Sequence, residues 1–190
     1  MSVVVVVKKD NKVAIAADTL TSAGSKKFSH KYKSNSQKFF EYNGTYIGSV
    51  GSAMSKIMLK HLLDSQEEEF KFDSLENIYS SMLKIHKILK EEYYLLSKPK
   101  TDVPVESSRV HLLFANKFGI FEVSGDRHIA NLTKFWAIGS GENYALGAMH
   151  TVYNSDLSAL EIAKIGVDAA CEFDKSCALP MDFAEIDIEG

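Results

Sequence analysis

Ser2 is the residue whose position invites chemistry. It follows Met1 directly and opens the apolar run Val3-Val4-Val5-Val6-Val7. Removal of Met1, expected before so small a side chain, leaves Ser2 with a hydroxyl and a free α-amino group. Those are a nucleophile and its base on one residue. A second apolar run, residues 12–17, ends on Asp18, and a basic segment containing Lys26, Lys27, Lys31 and Lys33 leads to Lys38. Far along the chain stands Gly139-Ser140-Gly141, followed by Glu142. Each residue alone also has a plain structural reading. Serine is a common second residue, Asp18 can close a strand, Lys38 can be a surface lysine entering one, and Ser140 can cap a helix.

Other chemistries find little support. The six histidines (His30, His61, His86, His111, His128 and His150) share no spacing suited to a metal. Cys171 and Cys177 lie six residues apart with no second pair, which is not a zinc spacing. Gly139-Ser140-Gly141 lacks the third glycine of a dinucleotide fingerprint and the lysine of a P-loop. The 190 residues are 45% apolar and 25% charged with a net charge of -3, the composition of a soluble globular protein without a general pull toward nucleic acid or membrane. The run at 3–7 is too short for a signal peptide, and no window reaches the length of a membrane span. A reducing, cytoplasmic setting is expected.

The elements that must position these residues are readable in outline. Residues 2–9 and 12–18 form a hairpin turning at Asp10-Asn11, and the first strand is apolar on both faces, as a strand between two layers should be. Residues 20–37 show no periodicity and read as a loop or irregular arm. A second hairpin, 38–42 with 45–50, turns at Asn43-Gly44. Helices are expected over 53–68 and 75–96, the latter with an apolar stripe from Ile78 to Leu96. A breaker-rich loop, 97–107, holds Pro99 and Pro104. Strands at 109–115, 118–123, 128–132 and 135–138 precede helices at 142–154 and 158–174, the second opened by a capping box from Ser158 to Glu161. A strand at 183–188 ends the series. The order implies an α+β fold in one domain over residues 1–190: a four-layer sandwich of two antiparallel sheets, each covered by a pair of helices.

Several stretches, in order, resemble the proteasome β-type subunits, which are N-terminal-nucleophile hydrolases, and especially the HslV-type bacterial peptidases and small bacterial proteasome homologues. They are Val13-Ala14-Ile15-Ala16-Ala17-Asp18, Lys38 ahead of Gly48-Ser49-Val50-Gly51, Ala137-Ile138-Gly139-Ser140-Gly141-Glu142-Asn143-Tyr144-Ala145, and the helix from Leu157 to Ala170. The resemblance implies roles. Ser2, where the family usually has threonine, attacks a peptide carbonyl while its amine takes the proton. Lys38 holds that amine neutral, Asp18 orients Lys38, and Ser140 bonds near the amine. Gly51, within one position, supplies the oxyanion hole, beside a specificity pocket lined by Ser49 and Val50. The family's supporting aspartate on the last long helix is matched by Glu172, with Asp174 or Asp168 as alternatives. HslV-type members also bind sodium or potassium through backbone carbonyls here, at Cys171, Asp174 and Cys177; no other cofactor is implied.

The implied function is a self-compartmentalising endopeptidase, assembled with copies of itself into stacked rings and fed unfolded polypeptide by a separate ring ATPase. The alternatives are an inactive structural or regulatory subunit, expected if Met1 is retained, and a small-molecule amidase on the same fold.

Overall fold

The computed structural model describes residues 2–67, 69–97 and 104–188. Met1, whose removal is expected, and Pro99 of the breaker-rich loop lie outside the described residues. Strands β1 (Val3–Lys9) and β2 (Lys12–Asp18) pair antiparallel from Val4↔Ala17 to Lys9↔Lys12. Asp10 and Asn11 between them take φ of 49° and 59°, the left-handed pair that matches a two-residue turn to the twist of its strands. All five valines of β1 are fully buried. Val3, Val5 and Val7 face one apolar cluster and Val4 and Val6 another, so β1 lies between two layers.

The arm after β2 is more regular than its sequence suggests. It contains a small hairpin, β3 (Thr21–Ala23) with β4 (Lys26–Phe28), and a single 3-10 turn at His30–Tyr32. Strands of three residues are too short to carry a readable period. Strands β5 (Phe39–Tyr42) and β6 (Thr45–Val50) follow, turning through Asn43 and Gly44 as expected.

Helices α1 (Ala53–Ser65) and α2 (Leu75–Glu91) start at Ser52 and Ser74, whose side chains accept from Met54 N and Asn77 N. Both are shorter than expected. Tyr94 takes φ of 55°, which ends the helical path, yet Tyr93 and Leu95 still pack on the α2 core. The apolar period therefore outlives the helix. Strands β7 (His111–Asn116), β8 (Gly119–Val123) and β9 (Ile129–Leu132) form a meander, followed by β10 (Phe135–Gly139). Helix α3 (Glu142–Val152), helix α4 (Ala159–Phe173) with its Ser158–Glu161 capping box, and β11 (Met181–Asp187) complete the described elements.

Apart from the β3–β4 hairpin, the described strands form two sheets, ordered β10-β1-β2-β11 and β5-β6-β7-β8-β9, with every pairing antiparallel. Helices α3 and α4 cover the first sheet, α1 and α2 the second, and Val4, Val6, Ile15, Leu113 and Ile120 fill the space between. The helix–sheet–sheet–helix sandwich expected from the sequence is present.

Candidate active site

Antiparallel pairing brings the start of β1 beside the ends of β2 and β10, since Val3 pairs with Gly139 and Val4 with Ala17. Residues 2, 18 and 140, distant in sequence, thus meet at one edge of one sheet. Ser2 N donates to Ser140 Oγ at 3.2 Å, and Asp18, with no exposed surface, binds Lys38 Nζ at 2.5 Å. Asp18 accepts three further hydrogen bonds, from Val3 N at 2.9 Å, Leu20 N at 3.1 Å and Ala178 N at 3.3 Å. Four donors on one buried carboxylate are what burial of its charge requires. Lys38 is itself only 8% exposed, so its ammonium is held by Asp18 next to the Ser2 cleft.

Gly139 can only be glycine. Its φ is 109°, and a Cβ there would stand 2.1 Å from Ser2 O. Ser140 therefore sits against Ser2 because the residue before it has no side chain. It is not the cap of α3: Gly141 holds that position, without a side-chain cap bond, and Glu142 Oε2 turns back to accept from Gly139 N at 3.0 Å.

A cleft opens from Ser2. Lys38, Ser49, Val50 and Gly51 line it, with Ser52 and Ala53 at the N-terminus of α1. Gly51, with φ of 99°, turns the chain from β6 into that helix. The positive end of the α1 dipole thus lies at the cleft wall, suited to a developing negative charge.

Of the acidic candidates near the end of the last long helix, Asp174 bonds Ser140. Helix α4 buries Ala159, Ile162, Ala163, Gly166, Val167 and Ala170 on one stripe, which leaves Glu172 and Asp168 on exposed faces. The chain leaves helical geometry at Asp174 (φ −96°, ψ 112°), and this swings its carboxylate inward. Asp174 accepts from Ser176 N at 2.9 Å and from Cys177 Sγ at 3.6 Å, and it bonds the Ser140 hydroxyl. Burial pushes its pKa up, but these hydrogen bonds, Ser140 first among them, outweigh that and keep its carboxyl below the usual aspartate range. Glu172, the expected supporting acid, stays on an exposed face. Counting along a helix cannot show where the helix stops.

The cysteines lie close to the same network. Burial, then the field of Asp18, pushes the Cys171 thiol up to about 12 and the Cys177 thiol higher still. Neither is a thiolate ligand or nucleophile at neutral pH. Among the described residues no group of three or more His, Cys, Asp or Glu side chains could hold a metal ion. The carbonyl of Asp174 already accepts from Cys177 N at 2.9 Å and keeps a second lone pair.

The family model for "Proteasome subunit" matches residues 2–186. The chain belongs to the proteasome subunit family. This proteasome-family chain is 31% identical over 173 residues to the ATP-dependent protease subunit HslV of Caldicellulosiruptor saccharolyticus, covering 88% of each. Among solved structures it is similar to Thiobacillus denitrificans BPH in complex with epoxomicin. That match has a TM-score of 0.93 and 39% identity, covering 99% of this chain and 100% of the other. HslV from Trypanosoma brucei has a TM-score of 0.69 at 18% identity over 97% of this chain and 99% of that one, a likeness of fold alone. Among the described residues no helix is long and apolar enough to cross a membrane.

Proposed function

We propose that this proteasome-family chain is an endopeptidase subunit in which Ser2, freed of Met1, is the nucleophile and its α-amine the base. The observation that carries the reading is the meeting of Ser2 N with Ser140 Oγ at 3.2 Å beside the buried Lys38–Asp18 pair at 2.5 Å. An α-amine has a reference pKa of about 8, and a neighbouring ammonium favours its neutral form. Lys38 is placed to supply that field, while Asp18 stops it from becoming an unpaired buried charge.

In the proposed reaction the Ser2 oxygen attacks the peptide carbonyl as its proton passes to the α-amine, directly or through a water. The resulting oxyanion is stabilised by the Gly51 N–H, by the start of α1 and by Lys38. Collapse returns the proton to the leaving nitrogen and leaves an ester on Ser2, which water then hydrolyses. Ser140 orients the amine, and Asp174 orients Ser140. Main-chain carbonyls of Cys171, Asp174 and Cys177 would hold a sodium or potassium ion that stiffens the turn carrying Asp174. Assembly into stacked cytoplasmic rings, with unfolded polypeptide delivered by a separate ATPase, is proposed from the likeness to HslV, whose relative is described as ATP-dependent.

The test uses epoxomicin, the compound bound in the similar Thiobacillus denitrificans structure. An adduct mapped to Ser2 by mass spectrometry is expected, together with a mature mass lacking Met1. No adduct on a protein whose Ser2 is free overturns the reading. Ser2→Ala should lower peptide hydrolysis on the order of 10⁴-fold or more.

A further inference from the structure

The cleft that holds Ser2 is cationic on the side away from Asp18. Besides Lys38, its lining includes Lys33, at the end of the arm, and Lys56, on α1. Ala53, Lys56 and Ile57 are spaced i, i+3 and i+4, so they present one helical face to the cleft. Lys33 Nζ donates to Thr21 Oγ1 at 3.1 Å, and Lys56 Nζ donates to the Gln37 carbonyl. Both partners are neutral oxygens, and each ammonium keeps further donors. The rest of this wall is polar: Ser22, Asn35, Ser36 and Ser49.

No carboxylate stands among the cleft-lining residues. Lys56 is partly desolvated and lies within the field of Lys33, and both effects hold its pKa below the ordinary lysine value. Asp182 is a carboxylate whose field reaches Lys56. Asp182 Oδ2 has no hydrogen-bond partner, and burial raises its pKa. Two ammonium groups in a semi-enclosed cleft with neutral partners are an unbalanced charge, and an anionic side chain is the complement that relieves it.

We infer that Lys33 and Lys56 select peptides carrying a carboxylate, glutamate or aspartate, on the residue whose carbonyl Ser2 attacks. A carbonyl seated between Ser2 and the first turn of α1 places its own residue's side chain against that turn, where Ala53, Lys56 and Ile57 form the wall. This rests on the endopeptidase reading for the attack itself. The charge selectivity is a property of the wall and can be measured without turnover.

Two measurements test it on the assembled protein. The first compares hydrolysis of fluorogenic peptides that differ only in Glu, Gln, Leu or Lys at the attacked residue. Glu should exceed Gln by about tenfold in kcat/KM, the scale of a charge-assisted hydrogen bond in a partly exposed site. Lys56→Gln and Lys33→Gln should each erode that ratio, and Lys56→Glu should reverse it in favour of Lys. The second measures binding of labelled Glu and Gln peptides to Ser2→Ala by fluorescence anisotropy, with the same lysine replacements added. Equal treatment of Glu and Gln overturns the inference, as does a preference that survives both lysine changes or one found only on the leaving side. If no peptide is cleaved, the endopeptidase reading fails, and the binding arm still decides the selectivity.

Discussion

Asp18 and Asp182 stand on neighbouring strands of one sheet, one residue apart in register, since Asp18 pairs with Met181 and Asp182 with Ala17. They face opposite layers. Asp18 continues the side of Ala14 and Ala16, which pack toward α3 and α4, while Asp182 shares the side of Ala17 and Ala184, between the sheets. Asp18 is completely buried and accepts from four donors; Asp182 is partly exposed and leaves one oxygen without a partner. The contrast separates two uses of a carboxylate. The first, saturated, fixes Lys38 beside Ser2. The second, unsaturated, adjusts the field of a wall lysine and carries an electrostatic penalty for its burial.

The largest effect should come from breaking the saturated site. Asp18→Ala leaves Lys38 as an unpaired buried ammonium, and denaturant unfolding should register a loss of about 3–5 kcal/mol. A loss below about 1 kcal/mol would show that water or another group already balances the lysine. The double replacement Asp18→Asn with Lys38→Met sharpens the point. Removing both charges should restore most of that stability, because a buried ion pair contributes little over well-packed neutral groups. Epoxomicin labelling of Ser2 should nevertheless stay slowed on the order of 10²-fold or more. Recovery of labelling together with stability would remove Lys38 from the proposed mechanism.

Asp174→Asn should slow labelling about tenfold or more through Ser140, whereas Glu172→Gln on the exposed face should leave the rate within about twofold and stability within about 0.5 kcal/mol. The reverse ranking would reinstate Glu172.

The smallest effect belongs to Asp182. Its folded pKa is raised above the ordinary 3.8, chiefly by burial. A carboxyl raised in the folded state is more protonated there than in the unfolded chain, so the protein loses stability as pH rises from 3.8 through the folded value. Asp182→Asn should therefore be slightly more stable than the parent at neutral pH, the two converging in acid, as followed by thermal unfolding across pH. It should also increase the preference for Glu peptides, because Lys56 loses the opposing field of Asp182. Parallel pH profiles would mean that Asp182 is as well solvated folded as unfolded.

Much of the frame was legible because it is local. Five consecutive valines between polar ends imply a strand buried on both faces. Asp10-Asn11 and Asn43-Gly44 imply tight hairpins, and Ser158 with Glu161 implies a helix start; each appears as expected. The misjudged places have a common cause. The ends of α1 and α2, the hairpin inside the arm, and the meeting of Asp174 with Ser140 all depend on where a backbone changes direction. A periodic pattern continues past such a point, as Tyr93 and Leu95 do.

The sequence by itself determined the layers, the strand that carries Ser2 and the residue types available for chemistry, since periodicity and turn chemistry act over a few residues. Tertiary structure alone decided which of those residues meet. Only the pairing of β1 with β2 and β10 brings residues 2, 18 and 140 to one edge. Only the missing side chain at Gly139 lets Ser140 approach Ser2 N, and only the end of α4 turns Asp174 toward it. The cationic wall is likewise invisible in a chain of net charge -3. Charge counts are sums, whereas a field in a cleft depends on which charges lack a partner.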